Sequence, residues 1–165
     1  MNLTLYILEL LGLMGLFTLA VVPGLNRDPV SFVSSYPPDI RKEYYRSQGL
    51  PEPRSGITGK ELLRKLLAGA AALALMALLA GWAGARSYWE FFGVIHSFLV
   101  LIAAFDTFFL DWVLFPRIRR WRVPGTENMD QAYAQKWFHL KGVLLAFPLF
   151  LAGALAAAVL GCLLF

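Results

Sequence analysis

The sequence contains a single cysteine, and only 16% of its 165 residues are charged. With Cys162 alone, neither an intramolecular disulfide nor the thiol pair of a disulfide oxidoreductase can form. Soluble domains are about half apolar and about a quarter charged, whereas 58% of this chain is apolar. Together with a mean hydropathy of +0.59, this composition predicts a protein embedded in lipid.

The chain also lacks the short motifs of common catalytic and nucleotide-binding sites. It has no P-loop, no G-x-G-x-x-G, no H-E-x-x-H and no nucleophile elbow. The formal net charge of +4 is basic, but membrane topology accounts for the positions of the basic residues, so we expect no nucleic-acid partner. His96 and His139 are the only histidines. We expect them at different depths in the membrane, so we do not expect one haem to be held by both. The sequence identifies no other cofactor.

Four apolar runs are long enough to cross a bilayer core of about 30 Å, which takes about 20 helical residues. They cover residues 3–22, 62–83, 88–115 and 138–165. Pro23 and Pro116 are expected to close the first and third runs. Thr58 and Glu61 have capping-box spacing before the second. The predicted fold is an all-α integral membrane bundle of four transmembrane helices, forming one domain over residues 1–165.

The basic residues predict the orientation of this bundle. Eight of the 15 Lys and Arg fall between Arg27 and Lys65, and six fall between Arg117 and Lys141. Because cytoplasmic loops are enriched in Lys and Arg, we place loops 24–60 and 116–137 inside and both termini outside, in a bacterial-type plasma membrane. Glu9 and the lack of a basic N-terminal region favour a retained first span over a cleaved signal peptide. All five tryptophans flank predicted membrane boundaries, as interfacial indoles do.

The two inner loops carry local structure signals. Residues 39–46 follow two prolines and precede Gly49, which predicts a short helix with Ile40 and Tyr44 on one face. Residues 123–125, Val-Pro-Gly, predict a turn. Asn128 and Gln131 have the spacing to cap a helix that runs on into the fourth span.

Small residues form a ridge on the fourth span. Gly153, Ala157 and Gly161 recur every four residues, a pattern that lets helix backbones approach closely in membranes. Two interpretations stay open at this point. The ridge either packs inside one bundle, or it binds another copy of the chain or a different membrane protein.

Ionisable residues within spans are costly and usually face the protein interior. Glu9 lies about 9 Å and His96 about 12 Å below the outer ends of their helices, at 1.5 Å per residue. Similar depth predicts an intramembrane polar pair between them. Such a hydrogen bond would offset much of the cost of burying either group.

The inner half of the bundle is richer in candidate functional residues. Asp106 is expected about 13 Å and Asp111 about 6 Å from the inner end of the third span, and His139 opens the fourth span. These three are our catalytic candidates, since carboxylates with an imidazole suit acid–base chemistry. Asp111, Glu127 and His139 are a candidate ligand set for a metal. In an ideal α-helix Asp106 and Asp111 would point about 140° apart. Basic side chains nearby predict a site for phosphate or anionic lipid headgroups: Arg117, Arg119, Arg120, Arg122 and Lys141.

Three functions follow from these patterns. The first is a membrane protein whose cytoplasm-facing polar site binds an anionic lipid or a lipid-linked phosphate ligand. The second is a scaffold or accessory subunit that packs through small-residue faces and catalyses nothing. The third is a proton or ion pathway stepped through Glu9, His96, Asp106 and His139. The sequence leaves open whether the protein is an enzyme.

Overall fold

The computed structural model of the chain describes residues 1–53 and 58–165. Residues 54–57, part of the predicted loop 24–60, lie outside the described residues. Within the described part, every regular element is helical and no strand occurs. Four helical stretches there are long and apolar enough to cross a membrane: Leu3–Arg27, Gly59–Trp82, Tyr88–Arg117 and Asp130–Leu164. The prediction of four long apolar helices is confirmed.

The first two long helices differ in how well their ends were predicted. Helix α1 spans Leu3–Arg27 and contains Pro23, so the expected stop at Pro23 is wrong. A proline removes one backbone donor, but the rest of the turn can continue. Helix α3, Gly59–Trp82, begins as predicted. The Thr58 side chain accepts from the Glu61 amide, and the Glu61 side chain accepts from the Thr58 amide.

The third long stretch changes helical type along its length. Helix α4 covers Tyr88–Phe105, a π-helix covers Asp106–Leu114, and helix α5 covers Phe115–Arg117. In a π-helix a carbonyl bonds to the amide five residues on, as the Leu110 carbonyl does with the Phe115 amide. The π-helix is rare, and short π segments within α-helices are frequently found at functional sites.

The connecting segments fold into short helices. A 3-10 helix, Pro29–Ser35, precedes α2, Pro38–Ser47, which confirms the short helix predicted for residues 39–46. A second 3-10 helix, Arg119–Trp121, and a turn at Gly125 precede α6, Asp130–Tyr133. The long helix α7, Lys136–Leu164, then starts separately. The predicted Asn128–Gln131 cap is wrong, because Met129 occupies the N-cap of α6 and no side chain caps that helix.

The described residues fall into two compact units. The first is formed by residues 1–14, 58–103 and 145–165, and the second by residues 15–53 and 104–144. Each unit has its own apolar core.

Large aromatic and small aliphatic residues interlock in the core of the first unit. Phe91, Ile95 and Phe98 are fully buried there with four alanines: Ala77, Ala80, Ala154 and Ala158. The predicted small-residue ridge belongs to this core. A Cβ at Gly161 would overlap the ring of Phe91, and one at Gly153 would press on Leu73. The interpretation that the ridge packs within one bundle is confirmed for these residues.

Aromatic side chains joined by hydrogen bonds form the core of the second unit. Trp121 donates from Nε1 to Oδ1 of Asn26 over 2.8 Å, and its carbonyl accepts from the hydroxyl of Tyr36 over 2.7 Å. Ile40 and Tyr44 of α2 are buried in the same core, as their shared face predicts. Only 1% of Trp121 is exposed, so its indole faces this core, whereas an indole in contact with lipid headgroups was predicted.

Candidate functional site

The π segment determines where the two inner aspartates point. Asp106 and Asp111 are its first and sixth residues, and both line one cavity of the second unit. Because π-type hydrogen bonds join residues five apart, residues i and i+5 lie nearly above one another. The expectation from ideal α-helix geometry that these side chains point about 140° apart is therefore wrong.

Asp111 and His139 form a dyad at this cavity. Oδ2 of Asp111 lies 2.8 Å from Nδ1 of His139. The imidazole is only 9% exposed, and its ring meets Phe115 and Phe138 edge-on. A proton on Nδ1 completes the hydrogen bond to the carboxylate and leaves the lone pair of the neutral ring on Nε2.

The second imidazole nitrogen has no partner of its own. Nε2 of His139 is buried and lacks a hydrogen-bond partner among residues 1–53 and 58–165. Buried polar atoms are nearly always hydrogen-bonded, so an unsatisfied one needs an explanation. Here the atom belongs to a side chain that lines a cavity. A bound ligand is therefore a direct explanation.

The cavity has a polar side and an apolar wall. Its volume is about 330 Å³, at the lower end of the usual range of about 300–1,000 Å³ for small-molecule sites. The polar side chains that line it are Ser35, Tyr36, Asp106, Asp111 and His139. The apolar ones are Phe17, Val21, Leu25, Phe32 and Phe115. This composition suits a ligand with a small polar head and a hydrocarbon chain.

Tyr36 is a structural member of the lining. Its hydroxyl donates to the Trp121 carbonyl over 2.7 Å, and only 2% of the residue is exposed. Burial, and then the neighbouring Tyr133 phenol, raise the pKa of Tyr36 above its ordinary value. The phenol therefore stays protonated across the physiological range and is not the base of the site.

The predicted cluster of basic side chains is divided between two roles. The Arg122 side chain is 6% exposed and pairs with Asp130, while its guanidinium also donates to the carbonyls of Glu127 and Pro116. It is a structural residue, not part of an open phosphate site. The other four are exposed: Arg117, Arg119, Arg120 and Lys141. None of the five predicted basic residues lines the cavity.

The structure does not assemble the proposed metal ligands. Within residues 1–53 and 58–165, no three His, Cys, Asp or Glu side chains are grouped to hold a metal ion. Glu127 is exposed, and its carboxylate accepts from the Gly125 amide over 3.0 Å. Hydrogen bonds from the backbone amides of Glu127 itself and of Gly125 hold the pKa of this carboxyl below its ordinary value. The Asp111, Glu127 and His139 metal set is thus not supported.

The predicted Glu9–His96 hydrogen bond does not form. Both carboxylate oxygens of Glu9 and Nδ1 of His96 are buried without a partner in the described part of the chain. The His96 ring instead stacks on Phe92 and meets Phe147 edge-on. Aromatic packing therefore fixes the imidazole in an orientation in which it does not bond to the carboxylate.

Sequence reasoning missed one side of the site. Phe32, Ser35 and Tyr36 line the cavity, although they lie in and just after a 3-10 helix that follows the first span. The signal in the sequence was the pair of aromatic residues four apart in a loop otherwise rich in serine and valine. Residues four apart share a face in an α-helix, whereas this segment is a 3-10 helix, in which residues three apart align, so the spacing alone does not predict the lining.

No family model, no curated protein and no solved structure matches the chain.

Proposed function

We propose that this chain is a multi-pass integral membrane protein that binds a lipid-like ligand in the cavity of its second unit. The ligand's polar head would lie at the Asp111–His139 dyad, and its chain would lie against the apolar wall. The proposal rests mainly on one observation, the unpartnered Nε2 of His139 at a cavity that is otherwise half apolar.

Ligand binding at the dyad would satisfy a buried acceptor, Nε2 of His139, that otherwise lacks a hydrogen bond. Leaving such an atom unsatisfied costs about 1–3 kcal/mol of stability, and a donor on the ligand would recover that free energy. Asp111 contributes by holding the ring, just as the aspartate of a Ser-His-Asp triad fixes the tautomer of its histidine. Asp111, His139 and the adjacent Asp106 are also the groups that would carry an acid–base step.

Anionic lipids have a separate and more superficial role in this proposal. The exposed basic side chains near the end of the third helix and the start of the fourth would attract lipid phosphates and hold this end of the protein at the cytoplasmic surface. Each basic residue near such a surface contributes about 1 kcal/mol. The small-residue ridge is filled by contacts within the first unit, so we do not propose assembly through it.

The proposed orientation predicts a labelling result. With Cys162 changed to Ser, an Asn128→Cys variant carries its only thiol in the exposed loop before α6. We expect a membrane-impermeant maleimide to label it in inside-out vesicles and not in intact cells. Ser87→Cys, between the second and third long helices, is the control and should label in the opposite manner. The reverse result would contradict the proposed orientation.

The binding proposal is tested by what the purified protein retains. Native mass spectrometry of wild type in mild detergent should show a co-purifying amphiphile, with metals and subunit number resolved in the same spectrum. His139→Ala should lose at least about nine-tenths of it, a loss that corresponds to about 1.4 kcal/mol or more. Asp111→Asn should lose a smaller fraction, because the ring remains but is no longer held by a carboxylate.

Arg119→Gln is the matched control, since this exposed side chain does not line the cavity. It should retain the wild-type amount of ligand. Equal retention by the control and by folded His139→Ala would exclude the dyad as the binding site. A wild-type protein that retains nothing beyond detergent would also count against the proposal.

A further inference from the structure

The polar side of the cavity is almost entirely made of hydrogen-bond acceptors. The carboxylates of Asp106 and Asp111 line it together with the unpartnered Nε2 of His139. The Tyr36 hydroxyl already donates its hydrogen bond to the Trp121 carbonyl. Ser35, at the exposed margin, adds one hydroxyl that can donate or accept. A ligand that fits this lining must therefore bring donors.

The charge of the cavity lining also favours a ligand head that brings hydrogen-bond donors. Among residues 1–53 and 58–165, those that line the cavity include two acidic side chains and no Lys or Arg. Asp111 is paired with His139, but Asp106 has no ion-pair partner among the residues that the structure describes. A phosphate head placed here would meet carboxylates with no cation to balance it, whereas an ammonium head would be attracted.

Two of the arginines that follow Asp111 in the sequence are bound to other partners. Arg117 donates to the carbonyl of Val113. Arg122 pairs with Asp130 and lies over the ring of Tyr133. Neither side chain lines the cavity. The phosphate-binding role predicted from sequence for this cluster therefore does not extend into the cavity.

We infer that the ligand is a cationic amphiphile, with a primary ammonium head bound between Asp106 and His139 and a hydrocarbon chain along the apolar wall. This inference rests on the proposed function and specifies its ligand class. An ammonium has three donors and no acceptor, so one N–H can bond to the Asp106 carboxylate and a second to Nε2 of His139. Phe17, Val21, Leu25 and Phe32 offer the apolar surface for the chain.

Three probes share one chain length and differ in the charge of the head group: dodecylamine, 1-dodecanol and dodecyl phosphate. Binding to wild-type protein in phosphatidylcholine nanodiscs is measured by native mass spectrometry over a concentration series. Each value is corrected with the same series on His139→Ala. We expect the amine to bind at least about tenfold more tightly than the phosphate, a difference of about 1.4 kcal/mol, with the alcohol in between.

Asp106→Asn provides the matched test, because it removes the charge with little change of shape. It should weaken amine binding more than alcohol binding, so that the advantage of the amine over the alcohol is largely lost. Thermal melting checks that the variant is folded. If it is not, the ranking of the three probes on wild type decides alone.

The results of the probe experiment test this inference separately from the binding proposal on which it rests. Phosphate binding as tight as the amine, lost in His139→Ala, would keep the site and overturn the inference about its charge. Binding of all three probes that His139→Ala leaves unchanged would overturn both.

Discussion

Arg122→Ala is expected to destabilise the second unit strongly, because it removes a buried and multiply bonded guanidinium. The Arg122 side chain is 6% exposed, donates to the carbonyls of Pro116 and Glu127, and lies 5.0 Å from the ring centroid of Tyr133. Hydrogen bonds to a charged group contribute about 1.5–3 kcal/mol each. The Asp130 partner is 74% exposed, so water weakens that ion pair.

The expected loss is about 3 kcal/mol, which corresponds to a fall in Tm of roughly 6–12 °C for a chain of this size. Unfolding is followed by intrinsic tryptophan fluorescence, to which Trp121, buried in the same unit, contributes. Arg119→Ala is the control, because that side chain is exposed, and it should melt within about 2 °C of wild type. Equal melting of the two variants would contradict the structural role of Arg122.

Gly161→Val should produce the second large effect, in the first unit. Gly161 is buried, and a Cβ at this position would overlap the ring of Phe91, which is itself fully buried. Overpacking a tight core costs about 1–3 kcal/mol. The Tm should therefore fall by roughly 2–12 °C, while the subunit number stays as in wild type.

Gly142→Val, on the same helix, is the matched control, since a Cβ there has nothing within 4 Å. It adds the same side chain without the clash and should change the Tm by about 2 °C at most. If Gly161→Val instead left the Tm unchanged and altered subunit number by size-exclusion chromatography with light scattering, Gly161 would face a partner and not Phe91.

The long helices were predictable because membrane thickness imposes a length and an apolar composition that can be read directly from the residues. Thr58 and Glu61 predict the start of α3 because a capping box is a local contact, complete within four residues. The end of α1 was predicted less well. Pro23 disfavours helix, but the structure continues it to Arg27, and no single residue decides such a boundary.

The ionisable members of the candidate site were predictable from the sequence, but its other lining residues and its geometry were not. Asp106, Asp111 and His139 were identifiable because ionisable residues in apolar helices are costly. Their convergence depends on the π segment, for which the residues Asp106–Leu114 carry no recognisable local signal. Glu9 and His96 failed as a pair for a similar reason, since depth along a helix leaves its rotation undetermined and Phe92 and Phe147 fix the His96 ring.

The most direct test of the proposed site is the tautomer of His139 in a lipid bilayer. Solid-state ¹⁵N NMR of histidine-labelled protein has only two imidazoles to resolve, and His96→Gln assigns them. At a pH where His139 is neutral, we expect a protonated Nδ1 hydrogen-bonded to Asp111 and an unprotonated Nε2, with Asp111→Asn shifting both signals. A His139 spectrum with the proton on Nε2, or one that Asp111→Asn leaves unchanged, would contradict the dyad on which the proposed site depends.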